Sequence, residues 1–348
     1  MNAYPATDAV VVGIDNGGTA NNATVLAGGR FLVDALVESP SRVQEGPEAA
    51  LDALAASFDQ VLALTALDRS RVAAVGLDTP GPASADGVIS LKGSTNFAHP
   101  GWHGFDVRGA LAQRLGLPVA YLNDGNAAAL YAHHTHRPAA GARATSVSVV
   151  VGTGLGGGLV VDGRVVTGAA GMAGELGHVP IPLTGVLEDG QPVPVCQCGQ
   201  AGDAESVASL TAISGHLLPY WLTRFPDHHL HGEPPAAAAR QVRALAEHQD
   251  PLALRIFEQQ AAAIGRLLTT VANVLDPDLY LIGGGVIQAE AGFRNWFLEQ
   301  VRRHTALRAE QDAVAEFALV PDLDMAGARG AALAAAAHVA GGRHARAG

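Results

Sequence analysis

The chain reads as an α/β protein built from two related halves, and three observations predict it. A strand-turn-strand-turn-strand pattern spans residues 10–33 and recurs at 148–166. Both copies bend first through a glycine/threonine turn, Gly17-Gly18-Thr19 and Gly152-Thr153-Gly154, and then through a second tight turn, Gly28-Gly29 and Asp162-Gly163. The length of 348 residues, 48% of them hydrophobic, suits two cores of ordinary domain size. A repeat of this kind predicts halves that face one another across a cleft, each offering a glycine hairpin to one shared polyphosphate.

The first element is a buried strand at 10–14 that ends at Asp15. Its turn leads to a strand at 23–26, and Gly28-Gly29 leads to a third at 30–37, which makes an antiparallel meander. Pro47 opens a segment in which Leu51, Leu54, Phe58, Val61 and Leu62 recur at helical spacing, so an amphipathic helix runs to about residue 67. Residues 72–77 return as a strand and stop at the loop Pro80-Gly81-Pro82. The stretch 93–104, rich in Gly, Ser, Asn and His, has no period and reads as a ligand-carrying loop. Asp106 caps a helix to Leu115. A strand at 118–122 then delivers Asn123-Asp124 at its carboxyl end, where ligands gather in open α/β sheets, and 126–134 is helical. Beyond the second hairpin copy, a helix at 251–275 leads to a strand at 279–282 and a third glycine cluster, Gly283-Gly284-Gly285. A helix near 293–304, a strand at 317–320 and an Ala-rich helix at 326–339 complete the pattern, the last expected to pack on the first half.

With 33 acidic against 22 basic residues, the net charge of -11 argues against a cation-lined nucleic-acid surface and for small-molecule partners. Residues 1–8 have neither the basic start nor the apolar run of a signal peptide or membrane span, so no membrane partner and a cytoplasmic location are expected. Cys196 and Cys198 are too close for an ordinary disulfide and read as metal ligands, with a pair of buried thiols as the plain alternative.

Phosphoryl transfer needs backbone N–H groups around phosphate oxygens, a carboxylate-anchored metal and a base for the attacking hydroxyl. Gly17, Gly18, Thr19 and Gly152, Thr153, Gly154 suit the first task, although either turn alone would pass for a plain hairpin. Asp15 suits Mg²⁺, or else closes its own turn. Asp124 suits the base, with Asn123 orienting the neighbouring hydroxyl; the competing reading makes Asp124 a helix cap. Glu175 and His178 share one side of a helical turn and can hydrogen-bond adjacent ring hydroxyls, with Glu205 as a third contact. The second nitrogen of His178 can join Cys196 and Cys198 at zinc, and Asp203 is the candidate for the missing fourth ligand. The histidines at 133, 134, 136 and at 228, 229, 231 read as solvated surface groups, and Trp102 as a packing residue under the loop of Asn96.

Taken together, these motifs resemble the ROK family of repressors, open reading frames and kinases. The resemblance rests on Asp15 to Thr19, Ser94-Thr95-Asn96 with Trp102, Asn123-Asp124, Gly152-Thr153-Gly154, Glu175-x-x-His178 and Cys196-x-Cys198-Gly199-x-x-Gly202-x-x-Glu205, and it spans nearly the whole chain. It implies an actin-like ATPase (ribonuclease H-like) duplicated fold with two domains flanking a cleft, a smaller one of 1–124 plus 326–348 and a larger one of 125–325. It further implies ATP-dependent phosphorylation of a hexose or hexose derivative, with Asp124 as base and Asn96, Asn123, Glu175, His178 and Glu205 on the sugar. ATP and Mg²⁺ would lie at the glycine turns, with Asp15 near the metal and Gly283 and Gly284 at the nucleotide. The family's zinc site has one histidine and three cysteines; here the third cysteine position is Asp203, the segment from His178 to Cys196 is longer than usual, and Ala20 replaces a frequent Lys or Asn. A homodimer is implied as well. Repressor members place a helix-turn-helix before the phosphate motif, and Asp15 is expected to lie too near the start for one. The alternative is a catalytically silent sugar-binding sensor without a DNA-binding domain, suggested by Ala20 and Asp203.

Overall fold

The structure, a computed structural model, describes residues 9–91, 96–138 and 144–344. Ser94 and Thr95 of the expected sugar motif lie outside the described residues. Two sheets organise the chain. The first contains β1 (Val10–Asn16), β2 (Ala20–Ala27), β3 (Arg30–Phe31), β4 (Glu38–Pro40), β5 (Val72–Thr79) and β6 (Val119–Asn123), in the order β3-β2-β1-β5-β6 with β4 also paired on β2. The second contains β7 (Thr145–Val151), β8 (Leu155–Val161), β9 (Arg164–Val165), β10 (Leu279–Gly284) and β11 (Glu316–Leu319), in the order β9-β8-β7-β10-β11.

Read from the hairpin edge, the two orders are the same topology twice. In each sheet the first strand of the repeat is central, and it pairs in parallel with the next strand inward, β5 in one case and β10 in the other. Loop lengths repeat too: residues 17–19 join β1 to β2 and residues 152–154 join β7 to β8. The second turns, 28–29 and 162–163, hold φ at 56° and 68° and at 51° and 72°. Positive φ at both central residues is the mirror-image hairpin whose twist matches that of its strands, which explains the Gly-Gly and Asp-Gly pairs.

The strand expected at 30–37 is interrupted. Only Arg30 and Phe31 keep register with Leu26 and Ala27; the chain then leaves the sheet edge and returns as β4 opposite Ala20 to Asn22. Helix α1 (Pro47–Thr65) buries Leu51, Leu54, Phe58, Val61 and Leu62 in one core with Val12, Ile14, Val75 and Leu77. Helix α2 (Val107–Leu115) adds Leu111 and Leu115 to that core and is capped as expected, with Asp106 accepting the Gly109 N–H at 2.7 Å.

Side chains alternate along a strand, so the residues between these core positions face the opposite side of the sheet. That side carries α3 (Asp124–His136) and the last helix. Between them in sequence lie α4 (Leu210–Ala212) and α5 (Leu218–Leu222), joined by one π-helical turn, then α6 (Pro235–Glu247), α7 (Pro251–Leu275), α8 (Ala291–His304) and α9 (Ala309–Asp312). The last helix, α10 (Leu323–His344), packs on β1, β5 and α3. Gly13 and Gly76, register partners on β1 and β5, make its approach possible, because a Cβ on either would overlap the carbonyl oxygen of Ala328 or Ala331.

The histidines of α3 do not lie on the surface as expected. His133 and His134 are buried, packed edge to face, because this helix is covered by α10 and by the β8–β9 hairpin. His228 has a carboxylate partner, Asp250, at 3.2 Å.

Contacts divide the chain into two compact units. Unit 1 is Met1–Ala144, Gly158–Gly174 and Pro321–Gly348; unit 2 is Thr145–Gly157 and Glu175–Val320. Among the described residues no helix is long and apolar enough to cross a membrane.

The Gly13 and Gly76 contact has a measurable consequence. Gly76→Ala should destabilise the protein by about 1–3 kcal/mol or more through overpacking against helix backbone, read as a lowered denaturant midpoint at unchanged slope. An unaltered midpoint would show that α10 is free to shift away from β5.

Candidate functional site

In unit 1 the carboxyl ends of three neighbouring parallel-aligned strands each present an acid. Asp15 near the end of β1 is the register partner of Asp78 on β5, and Thr79 that of Asn123 on β6, which places Asp124 one residue further on. The sequence reading had singled out Asp15 and Asp124 but had passed over Asp78. Asp78 is fully buried, and no donor among the described residues reaches either of its carboxylate oxygens. Its pKa is pushed well up by burial, then by the charges of Asp15 and Asp124. Asp15 is also raised, by burial, against an opposing pull from Asp78. Beside them the Tyr121 hydroxyl, 2.7 Å from the Thr79 hydroxyl, is pushed up to about 12 by burial and by Asp78 and Asp124.

Asn123 is the residue that caps α3. Its Oδ1 accepts the Asn126 N–H at 2.8 Å, so Asp124 is not the cap and stands in the first turn, with its own Oδ1 accepting the Gly125 N–H at 2.7 Å. The loop 17–19 closes through the Gly17 N–H to the Ala20 carbonyl at 2.9 Å. Asn96 lies directly on this loop: a Cβ on Gly18 would overlap the Asn96 side-chain oxygen. Trp102 supports that segment as expected, fully buried, with Nε1 donating to the Val43 carbonyl at 2.8 Å and its ring 4.8 Å from that of Phe97.

The remaining candidates belong to unit 2. Glu175 begins the short 3-10 turn Leu176–His178, and burial raises its pKa, with His178 opposing and Glu205 adding to the shift. His178 Nδ1 points at Asp203 Oδ2, 3.4 Å away, and at Cys196 Sγ, 3.8 Å away; Cys198 Sγ is 3.6 Å from the same Asp203 oxygen. All four ligand atoms lie within 4.8 Å of one another. Bond lengths of zinc to sulfur, nitrogen and oxygen predict tetrahedron edges of roughly 3.4–3.8 Å, a range that holds the three separations above, with the other pairs within 4.8 Å. Asp203 is buried, and its other oxygen accepts the Ser206 N–H at 2.8 Å, which fixes the carboxylate for this use. Without metal, burial and then the neighbouring Cys198, Glu205 and Asp203 side chains keep the Cys196 thiol protonated, and it donates to Glu205 Oε1 at 3.3 Å.

Glu205 also accepts the Leu155 N–H at 2.8 Å, and a Cβ on Gly154 would collide with that carboxylate. The glycine at 154 therefore admits Glu205 as well as any ligand. The loop is anchored from the start of α4, where the Leu210 N–H reaches the Gly152 carbonyl at 2.9 Å and the Thr211 hydroxyl the Thr153 carbonyl at 2.8 Å. Next to it unit 2 contains a cavity of about 360 Å³ whose wall includes Thr153, Ile213, Arg240, Arg243, Phe257 and Gly285. Arg243 donates to the Gly285 carbonyl at 2.7 Å. Of the third glycine cluster only Gly285 lines this cavity. Gly283 and Gly284 end β10, where Gly284, at φ 96°, packs on the Val151 backbone.

The ROK family profile matches residues 11–338 of this chain. The chain belongs to the ROK family. It is 31% identical over 290 residues to a glucokinase of Halalkalibacterium halodurans, covering 81% of this chain and 82% of the relative. Among solved structures, the ROK hexokinase of Thermus thermophilus superposes with a TM-score of 0.74 at 33% identity, covering 95% of this chain and 99% of that one. A ROK glucokinase of Streptomyces griseus, solved with glucose and AMPPNP, gives 0.68 at 25% identity over 94% and 99% of the two chains. The duplicated sheet topology is the actin-like ATPase fold of these ROK kinases.

Against the ROK motifs the two departures at Ala20 and Asp203 are locally absorbed. Ala20 closes its loop through a backbone carbonyl, which any side chain leaves available. Asp203 supplies an oxygen at ligand distance. Sequence reasoning missed Asp78, Arg240, Arg243 and Phe257. For Asp78 a signal existed, an acid ending the apolar run at 72–77 as Asp15 ends its own; for the cavity residues none did, because they come from separate helices.

Asp78 makes stability depend on pH in a definite direction. A folded-state pKa above the ordinary 3.8 means that the folded protein binds more protons than the unfolded chain, so its contribution is best at low pH and is lost as pH rises above that value. Asp78→Asn removes the charge and brings a permanent donor to Asp15. In chelated buffer its stability relative to the wild type should therefore grow from pH 4.5 to 8, measured by chemical denaturation; a difference independent of pH would refute the assignment.

Proposed function

We propose that this ROK protein transfers the terminal phosphoryl group of ATP to a hydroxyl of a hexose or hexose derivative, with Asp124 as the base. The observation that carries the reading is the doubled loop: sheets of the same topology each end a central strand in a glycine/threonine loop of the same length. Such loops bring backbone N–H groups close to phosphate oxygens. The relatives named glucokinase and hexokinase support the same reaction class.

Asp124, beyond the carboxyl end of β6, accepts the proton of the attacking hydroxyl in this scheme. Gly17, Gly18, Thr19, Gly152, Thr153 and Gly154 would contact phosphate, and Asp15 would hold Mg²⁺, which would offset the phosphate charge. The cavity beside Thr153 suits adenosine: Ile213 and Phe257 give apolar walls, and Arg240 and Arg243 stand at its polar side. Sugar hydroxyls fall to Asn96, Asn123, Glu175, His178 and Glu205. Asn123 has its Oδ1 committed to the helix cap, so it is the amide group that reaches outward.

His178 fits a double assignment. With Nδ1 turned toward the cysteines and Asp203, its Nε2 is the nitrogen left for a sugar hydroxyl. Zinc held by His178, Cys196, Cys198 and Asp203 would fix that tautomer and ring orientation and would take no part in the chemistry. The silent-sensor alternative gains nothing from Ala20 or Asp203, since neither departure disables a group named above.

Asp124→Asn should cut kcat by about 10²–10⁴-fold, with the sugar dissociation constant changed only a few-fold in calorimetry. A parallel loss of binding and rate would make Asp124 structural and defeat the assignment. For the metal, elemental analysis of protein purified without chelators should find stoichiometric zinc, and Cys198→Ser should lower it while raising the sugar KM more than it lowers kcat. Zinc-free protein with unimpaired sugar affinity would show that the cluster holds its loop unaided.

A further inference from the structure

One group in the candidate site has no task in the scheme above. Asp78 is wholly buried, neither of its oxygens has a donor among the described residues, and the charged groups acting on it are Asp15 and Asp124, both acidic. An acid in that position is expensive to keep ionised, and among the described residues no arginine, lysine or histidine acts on it. Its placement is set by backbone register: parallel pairing of β1 and β5 puts Asp78 beside Asp15 on the same side of the sheet, at the strand ends where the 17–19 loop begins. Asp15 itself is partly exposed, so the pair has one oxygen-rich face open and one closed.

We propose that Asp78 and Asp15 together ligate one divalent cation of the oxygen-preferring class through direct carboxylate–metal bonds, with Asp78 as the inner ligand. The assignment rests on the kinase reading only for what the cation does, namely accompany the nucleotide phosphates. Magnesium and manganese sites of this kind use one or two carboxylates and complete their octahedron with water and phosphate oxygens. A cation there resolves both anomalies at once: it supplies the missing counter-charge to Asp78, and it lets the two adjacent acids be ionised together. With Asp15 alone, a cation held through water would leave Asp78 unexplained.

Manganese provides the probe, since its free-ion resonance is lost on binding. The full-length, zinc-replete protein, without nucleotide or sugar, is titrated with Mn²⁺ and free Mn²⁺ is read by electron paramagnetic resonance. The wild type should take up one high-affinity Mn²⁺, with Mg²⁺ competing, and Asp78→Asn should weaken that uptake by tenfold or more. Thermal melts should agree: Mn²⁺ should raise the wild-type Tm beyond an ionic-strength-matched NaCl control and leave the variant at the control value. If Asp78→Asn does not fold, Asp78→Ser takes its place in both measurements. Wild-type affinity in the variant, or no Mn²⁺ uptake by the wild type at millimolar concentration, overturns the inference. The two readings fail separately. Sugar phosphorylation with Asp78-independent Mn²⁺ uptake removes only the metal ligand, whereas Asp78-dependent uptake without any sugar phosphorylation removes only the kinase.

Discussion

Register between β1 and β5 is the constraint on which most of unit 1 depends. The same parallel pairing that sets Asp15 beside Asp78 also sets Gly13 beside Gly76, two residues earlier on each strand. On one side of the sheet, bare backbone at the glycines lets α10 lie against the strands. At the strand ends, the consequence is a pair of adjacent acids on which no cationic side chain among the described residues acts. A slip of one residue would turn the glycines toward α1, place side chains under α10 and separate the carboxyl groups. Packing of the last helix and electrostatics of the candidate site are thus fixed by one hydrogen-bonding pattern.

The two units handle buried polar atoms in different ways. Unit 1 sets hard carboxylate oxygens side by side at the ends of β1 and β5, a donor type that suits magnesium-like ions. Unit 2 gathers imidazole, two sulfurs and a carboxylate oxygen within 4.8 Å of one another, a donor set of the kind that suits metals of borderline softness. Replacing a thiolate by the Asp203 carboxylate also changes the charge distribution. The Ser206 N–H holds this carboxylate through its other oxygen, Oδ1.

The repeat was legible because it is local: loop length and turn chemistry occupy a few consecutive residues, and Gly-Gly and Asp-Gly state their backbone geometry directly. The long helices were legible for the same reason, Asp106 and Asp250 capping α2 and α7 at the expected starts. Edges were harder. Nothing in residues 32–37 announces that β3 stops and that β4 resumes on the same partner, because that choice depends on how far β2 extends. The α3 histidines misled because their polarity suggests solvent, while two elements distant in sequence cover the helix. Asn123 was read as a hydroxyl ligand and proves also to be the cap, since a single amide can serve the helix through its oxygen and a ligand through its nitrogen.

That division of labour recurs and bears on how the site keeps its shape. Asn123, His178, Asp203 and Glu205 each commit one polar atom to the fold: Asn123 to a helix amide, His178 to the cysteine cluster, Asp203 to Ser206 and Glu205 to Leu155. A side chain held at one end loses little further freedom when its other end meets a ligand, so the ordering cost of binding is met largely during folding. On the proposed sugar assignment, specificity would depend on where the second atoms of Asn123, His178 and Glu205 point, and the 3-10 turn at 176–178 and the cap of α3 hold two of these side chains. On the same assignment, a change of sugar preference that spares stability would start at Asn96, whose neighbours are the 17–19 loop and Gln44, before the doubly committed four.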